Sequence, residues 1–227
     1  MREIVFDTET TGFGAEEHRI LEIGCVELVN RLPSGRVFHT YLNPERAIDY
    51  GSTKIHGITD EKVRDAPKFA AIADKFLAFV EDAPLVAHNA EFDFGFMNSE
   101  LARCGRGPLA NPMVDTLAIA KQKLPGQRHN LDALCRFYNV DNSARNYHGA
   151  LLDAQLLADV YVELLGGLQA DFLGLADNSV RVERVAQVVG AVAEVVASAG
   201  KVVVASEAER ARHAEFVAAF VRGGRWG

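Results

Sequence analysis

The 227-residue chain has few cysteines, no long apolar run and no excess of positive charge. Its cysteines, Cys25, Cys104 and Cys135, are an odd number, lie far apart and form no C-x-x-C pair, which favours a reduced intracellular protein. No stretch approaches the roughly 20 apolar residues of a membrane helix, and none has the pattern of a signal peptide. We therefore expect a cytoplasmic protein.

The balance of charge limits how the chain binds its partners. It has 24 Lys and Arg residues against 31 Asp and Glu, a net charge of −7, which argues against a protein that binds nucleic acid through a broad basic surface alone. All of the excess acid falls in residues 1–167, because residues 168–227 contain seven residues of each sign. A polyanionic substrate would need compensation from something other than Lys and Arg.

Several well-known catalytic motifs are also absent. The sequence contains no G-x-x-x-x-G-K-[ST], no G-x-G-x-x-G after a strand, no H-E-x-x-H and no G-x-S-x-G. An NTPase, a dinucleotide-dependent enzyme or a serine hydrolase is therefore not expected.

Strand-like and helix-like segments alternate, which predicts an α/β domain. The turn-forming residues Pro33, Ser34 and Gly35 are expected to separate the second strand from the third. The predicted strands cover residues 4–6, 19–29, 37–42 and 85–87. The predicted helices cover residues 66–81, 92–103, 116–123, 130–138 and 150–165.

The organisation of the chain suggests three parts. Gly166 and Gly167 end the last of these helices, so we place the boundary of a catalytic domain, residues 1–167, there. Residues 168–179 are predicted as a connector. Residues 180–227 carry apolar positions at steps of three and four from Val182 to Ala199, then a short strand (201–205) and another helix (207–221), which fits an interaction segment.

Four acids stand in settings that suggest chemistry. Asp7 and Glu9 follow a buried strand and, being two apart, point to the same face. Asp93 lies in a Phe-rich helix, where an acid is unfavourable unless it is paired or bound to a metal. The simpler alternatives are a solvated strand end for the first two acids and a helix cap for Asp93.

The fourth acid, Asp153, follows His148 by five residues. On one regular helix these positions would point about 140° apart, so they meet only if His148 lies on the loop that enters the helix. Gly149 provides the freedom that such an entry needs. Alone, His148 would be a surface or capping histidine.

Taken together, the acids and the histidine predict a metal-dependent hydrolase. Carboxylates suit Mg²⁺ or Mn²⁺ rather than zinc, and two divalent cations would neutralise four acids and assist in-line displacement at a phosphodiester. His148 is then suited to take a proton from the attacking water.

Five motifs spread over residues 2–167 resemble the DEDDh exonuclease superfamily, in particular its members that proofread for bacterial replicative DNA polymerases. The matching segments are residues 6–12, 18–24, 55–58, 88–97 and 147–154. The resemblance implies a ribonuclease-H-like mixed central sheet flanked by helices and a two-metal 3′–5′ exonuclease.

The same resemblance implies roles for individual residues. It makes Asp7, Glu9, Asp93 and Asp153 metal ligands and His148 the general base. His56 corresponds to a loop histidine that contacts the terminal nucleotide, and the expected substrate contacts are Asp7, Glu9, Thr10, His56, Asn89 and Asp153. His88 lies beside Asn89 and is expected to have a supporting or strand-contacting role. Family members often have an acid where this sequence has Gly51, with Asp49 nearby, which leaves the contact to the terminal sugar open.

The resemblance extends to partners. Residues 169–175, in which Gln169 is followed by aliphatic and aromatic anchors as far as Leu175, loosely resemble a sliding-clamp-binding peptide. Residues 180–227 resemble the segment with which such proofreading subunits bind the polymerase alpha subunit. Two alternatives stay open: an RNA 3′-exonuclease of the oligoribonuclease or RNase T kind, and a noncatalytic adaptor with an exonuclease-like fold.

Overall fold

The computed structural model describes residues 1–145 and 147–167. Within these residues there are five strands and seven helices, beginning with three strands in succession and ending with three helices. The strands are β1 (Arg2–Thr10), β2 (Ile20–Val29), β3 (Leu32–Tyr41), β4 (Leu85–Ala87) and β5 (Met113–Asp115). The helices are α1 (Tyr50–His56), α2 (Asp60–Val63), α3 (Phe69–Val80), α4 (Ala90–Arg103), α5 (Thr116–Lys123), α6 (Leu131–Tyr138) and α7 (Ala150–Leu164).

The strands form one mixed sheet in the order β3-β2-β1-β4-β5. The three N-terminal strands are antiparallel neighbours, whereas β4 and β5 run parallel to β1. The expected mixed α/β architecture is thus confirmed. Strand β5 and helices α1 and α2 are additions to the prediction, because segments of three to seven residues carry too little periodicity to be recognised.

The turn between β2 and β3 differs from the prediction. It consists of Asn30 and Arg31, whose φ angles are 52° and 65°, a conformation typical of a two-residue hairpin turn. The expected turn residues lie inside β3, where Pro33 pairs with Leu28 while Val37 pairs with Val26, so the intervening residues form a bulge. Pro33, Ser34 and Gly35 therefore mark a bulge within the edge strand β3 and do not mark the turn that precedes it.

The two faces of the sheet are covered by different helices. On β1, Ile4 and Phe6 belong to a buried cluster that includes side chains of α3 and α4, while Val5 belongs to a second cluster with side chains of α6 and α7. This alternation is the period of a strand, and it directs Asp7 and Glu9 toward the face of α7. The carboxyl ends of β1 and β4 therefore open between α4 and α7.

The helices end as their sequences predict. Asn130 caps α6 by accepting a hydrogen bond from the backbone N–H of Ala133 at 2.9 Å, and α7 ends just before Gly166 and Gly167, both of which have positive φ. The boundary predicted at residue 167 falls on the last described residue, whereas the boundary at 179 and the predicted elements beyond Gly167 lie outside the described residues. Within these residues no helix has the length and apolar character needed to cross a membrane, and all three cysteines are free.

Candidate active site

Asp7 and Glu9 lie at the carboxyl end of β1, opposite Gly24 and Glu22 of β2. Gly24 is needed at this place, because a Cβ atom there would lie 2.3 Å from backbone atoms of Ala150 and Leu151. Helix α7 can therefore start directly on β2. This close approach explains why Asp153, in the first turn of α7, comes near the end of β1.

Asp93 reaches the same place from the other side. The residue is 3% exposed, and its carboxylate accepts hydrogen bonds from the backbone N–H and the Oγ1 of Thr8, at 3.0 and 2.7 Å. Thr8 lies between the two acids of β1, so this contact joins α4 to the strand that carries them. The environment among Phe side chains is as predicted, with the pairing supplied by Thr8.

His148 lies on the loop before α7, and Asp153 lies inside the helix, which is the arrangement the spacing predicted. The backbone N–H of His148 donates to the carbonyl of Ile55 at 3.1 Å, which fixes the loop against α1. Glu9, His148 and Asp153 each offer a ligand atom, and these atoms all lie within 4.8 Å of one another. The structure thus brings the five predicted residues into one cleft.

The electrostatics of the cleft show an excess of negative charge. Burial, followed by the charge of Asp153, raises the pKa of Glu9 from 4.5 to about 8. Burial also raises the pKa of Asp93 to about 7, although the hydrogen bonds from Thr8 act in the opposite direction. The pKa of Asp7 is raised well above its usual value by burial and by the charges of Asp93 and Glu9, although some of its surface stays exposed. Such a set of oxygen ligands fits hard divalent cations, whose charge would offset that of the acids.

A positive side chain that the sequence analysis did not single out lies in the same cleft. The guanidinium of Arg145 donates to both oxygens of Asp153 at 2.6 Å and to Asp132 at 2.7 Å. Its Nη2 is also 3.0 Å from Nδ1 of His148. Its charge opposes the rise in the pKa of Glu9 and contributes, after burial, to the lowered pKa of His148. An arginine three residues before the predicted base was the only signal of it in the sequence.

His56 lies beside the cleft and is 6% exposed. Its Nδ1 accepts a hydrogen bond from the backbone N–H of Ile58 at 3.0 Å, so the neutral ring carries its proton on Nε2. Nε2 itself has no partner of normal hydrogen-bond geometry, although the nearby carbonyl of Thr10 acts to raise the pKa of the ring. Burial outweighs this effect and lowers the pKa of His56, which favours the neutral ring.

The remaining residues that the resemblance singled out are exposed or have contacts of their own. Thr10 is buried, and its hydroxyl donates to the carbonyl of Gly12 at 2.7 Å. Asn89 is exposed at the start of α4, with φ at 67°. His88 is hydrogen-bonded to Thr116 over 2.9 Å, in keeping with a supporting role. Gly51 has open space around it on α1, and Asp49 lies at the N-cap of that helix with its side chain 55% exposed.

Two supporting acids were also missed by the sequence analysis. Asp115 accepts hydrogen bonds from the backbone N–H groups of Asn89 at 3.0 Å and of Leu117 at 2.9 Å, which fixes the starts of α4 and α5. Glu22 bonds to His39 at 2.7 Å and accepts from the backbone N–H of Ala150 at 3.2 Å. These carboxylates hold the helices that carry Asp93 and Asp153.

Comparisons with known proteins agree with this geometry. The family model described as Exonuclease matches residues 4–161. DNA polymerase III subunit epsilon of Rickettsia felis is 48% identical over 191 residues, which cover 82% of this chain and 83% of that protein. The subunit epsilon of Salmonella typhimurium is 45% identical over 221 residues, covering 93% of this chain and 90% of that protein.

The fold comparison gives the same architecture. A solved structure of Exonuclease X in complex with 5′ overhanging duplex DNA superposes with a TM-score of 0.57 at 24% identity, covering 72% of this chain and 90% of that one. This likeness confirms the expected ribonuclease-H-like sheet flanked by helices.

Proposed function

The chain belongs to the exonuclease family and, within it, to the DNA polymerase III epsilon subunits, and we propose that the acidic cleft between α4 and α7 is its catalytic centre. It is a 3′–5′ proofreading exonuclease. The observation that supports the location of the site is the meeting of four carboxylates, two of which have pKa values raised to about 7 and about 8.

Divalent metal ions belong to the chemistry of this superfamily, and we propose that the cleft holds two of them. We assign Asp7, Glu9, Asp93 and Asp153 as the ligands, with Mg²⁺ or Mn²⁺ as the ions. When bound, such ions supply the positive charge that offsets the charge developing on the phosphodiester and its leaving oxygen. They would also neutralise the acids of the cleft, so that the charge at the place where a phosphate binds no longer repels a DNA strand.

His148 is assigned as the general base. It lies at the edge of the cleft with its side chain 48% exposed, so water reaches it, and its lowered pKa favours the neutral ring that a base requires. The contact to Ile55 holds its backbone in place while the side chain faces the acids.

His56 is assigned to the terminal nucleotide. A buried N–H without a well-aligned acceptor is unfavourable unless a ligand accepts from it, and the Nε2–H of His56 has no partner of normal hydrogen-bond geometry. Sugar and phosphate oxygens at a 3′ end are suitable acceptors. Thr10 and Asn89 border the same region, and we retain them as secondary contacts.

Two proposals concern the residues outside the described ones. Residues 180–227 are proposed to bind the polymerase alpha subunit, which the 221-residue match to the Salmonella protein supports by extending beyond the exonuclease match. Residues 169–175 are proposed to bind a sliding clamp. A pull-down of the full-length chain and of residues 1–167 by the polymerase alpha subunit, and separately by the sliding clamp, tests both proposals. Exonuclease activity of the short form is the folding control. Equal binding by both forms would contradict them.

The catalytic proposal is tested by the double variant Asp7→Asn/Glu9→Gln. We expect it to lose Mg²⁺- or Mn²⁺-dependent release of nucleotides from single-stranded and mispaired DNA ends, whereas Asp74→Asn, at an exposed position, retains it. Undiminished activity of the double variant would contradict the site. Matched DNA and RNA oligonucleotides decide the substrate, and a strong preference for RNA would favour the oligoribonuclease-like alternative.

A further inference from the structure

Arg145 lies among the acids of the cleft with only 6% of its side chain exposed. Its Nε and Nη2 each donate to a different oxygen of Asp153 over 2.6 Å. Such a two-point contact between guanidinium and carboxylate is among the strongest ion pairs that proteins form. In this arrangement the proposed metal ligand Asp153 is engaged through both oxygens.

The same guanidinium has a second anchor on the outer side of the cleft. Its Nη1 donates to Asp132 of α6 over 2.7 Å, and that oxygen also accepts from Asn142 at 3.0 Å. The Asp132 side chain is 42% exposed, so this end of the contact faces solvent. Arg145 therefore connects the buried Asp153 to the partly exposed Asp132. Its contact to Asp132 can remain when its contact to Asp153 breaks.

Arg145 also contacts the proposed base. Its Nη2 lies 3.0 Å from Nδ1 of His148, and since a guanidinium only donates, Nδ1 is the acceptor. A neutral His148 then carries its proton on Nε2 and has no free nitrogen to accept another. The guanidinium that pairs with both oxygens of Asp153 thus also occupies Nδ1 of His148.

A divalent cation at Asp153 would meet this positive group at very short range. Glu9 and His148 offer their atoms to the same 4.8 Å cluster as Asp153, so a cation bound there would lie next to the guanidinium. Two positive groups so close together repel each other strongly in a poorly solvated cleft.

We propose that Arg145 competes with the divalent cation for Asp153 and withdraws toward Asp132 when the cation binds, which frees His148 at the same time. The inference rests on the proposed metal site. Arg145 is a positioning residue in this scheme: it compensates the acids before the cation binds and couples cation binding to release of the base.

The test is Mn²⁺ binding by calorimetry to the full-length wild-type chain, Arg145→Gln and Arg136→Gln. Arg136 is exposed on α6, one turn after Asp132, so its variant removes one positive charge nearby without touching Asp153. We expect Arg145→Gln to bind Mn²⁺ at least about tenfold more tightly, as loss of a charge-assisted competitor implies. Arg136→Gln should stay within about twofold of the wild type because surface charges contribute little.

Unchanged or weaker binding by Arg145→Gln would overturn the inference. Absence of Mn²⁺ binding in all three proteins, wild type included, would instead contradict the proposed metal site itself. Melting curves in EDTA verify that the variants fold. If Arg145→Gln does not fold, Arg145→Lys decides, because an ammonium group cannot hold both Asp153 oxygens and Asp132 at once. For Arg145→Lys, a gain in Mn²⁺ affinity smaller than the roughly tenfold gain expected of Arg145→Gln would support the inference, and no gain would overturn it.

Discussion

Replacing Glu9 with Gln should stabilise the protein in the absence of divalent cations. Glu9 is 8% exposed, and its pKa is raised from 4.5 to about 8, first by burial and then by the charge of Asp153. Glutamine keeps the size of the side chain and removes the ionisation. The variant therefore loses activity but no longer has to carry a buried negative charge.

The size of the effect follows from this pKa. A carboxyl whose pKa is raised in the folded state stabilises that state below its unfolded pKa of 4.5, and this contribution is lost as pH rises through about 8. At roughly 1.4 kcal/mol per pH unit, the penalty for Glu9 is about 1 kcal/mol at pH 5 and about 4 kcal/mol at pH 8. Water that enters the cleft lowers these figures, so they are upper limits.

The assay is urea unfolding of the full-length chain in EDTA at pH 5 and pH 8 and at constant ionic strength. The free energy of unfolding of Glu9→Gln should exceed that of the wild type by an amount that is larger at pH 8 than at pH 5. Glu27→Gln is the matched control, because hydrogen bonds from Ser34 and Arg2 lower the pKa of this buried acid. Glu27 stabilises the fold at every pH above 4.5, so its variant should be destabilised equally at both pH values. The reasoning would be refuted if Glu9→Gln and wild type differed in free energy of unfolding by the same amount at pH 5 and pH 8.

Three further predictions concern the base and two glycines. His148→Gln should lower kcat by at least about 100-fold, while the Mn²⁺ affinity measured by calorimetry changes little because the four acids remain. Equal losses of kcat and of Mn²⁺ affinity would argue against His148 as the general base. Gly24→Ala should destabilise the fold by about 1–3 kcal/mol in urea unfolding, because its Cβ would lie 2.3 Å from the start of α7. Gly51→Ala, in open space on α1, should be neutral or stabilising by up to about 1 kcal/mol, and a large loss there would contradict this account.

The positions of the acids could be predicted from sequence because each depends on a local rule. The two-residue period of a strand puts Asp7 and Glu9 on one face, and the pitch of a helix separates His148 from Asp153. Helices α5, α6 and α7 were also predicted almost to the residue, since capping residues and glycines define their ends.

The contacts between distant segments could not be predicted in this way. Asp115 fixes the start of α4 from 26 residues away, and Glu22 bonds to Ala150 across 128 residues. Nothing in the periodicity of either segment indicates the other. The close approach that Gly24 permits is likewise visible only once α7 lies on β2.

Arg145 shows why counting charges along the chain did not find the compensation within the cleft. The balance of −7 led us to look for cations from outside as the partners of four acids. One internal cation already shares this role, since the Arg145 charge acts against the raised pKa values of Asp7 and Glu9. A single positive charge cannot neutralise four carboxylates, and the pKa values of Glu9 and Asp93 stay high with Arg145 in place. The cleft is thus compensated enough to fold and still negative enough to attract divalent cations.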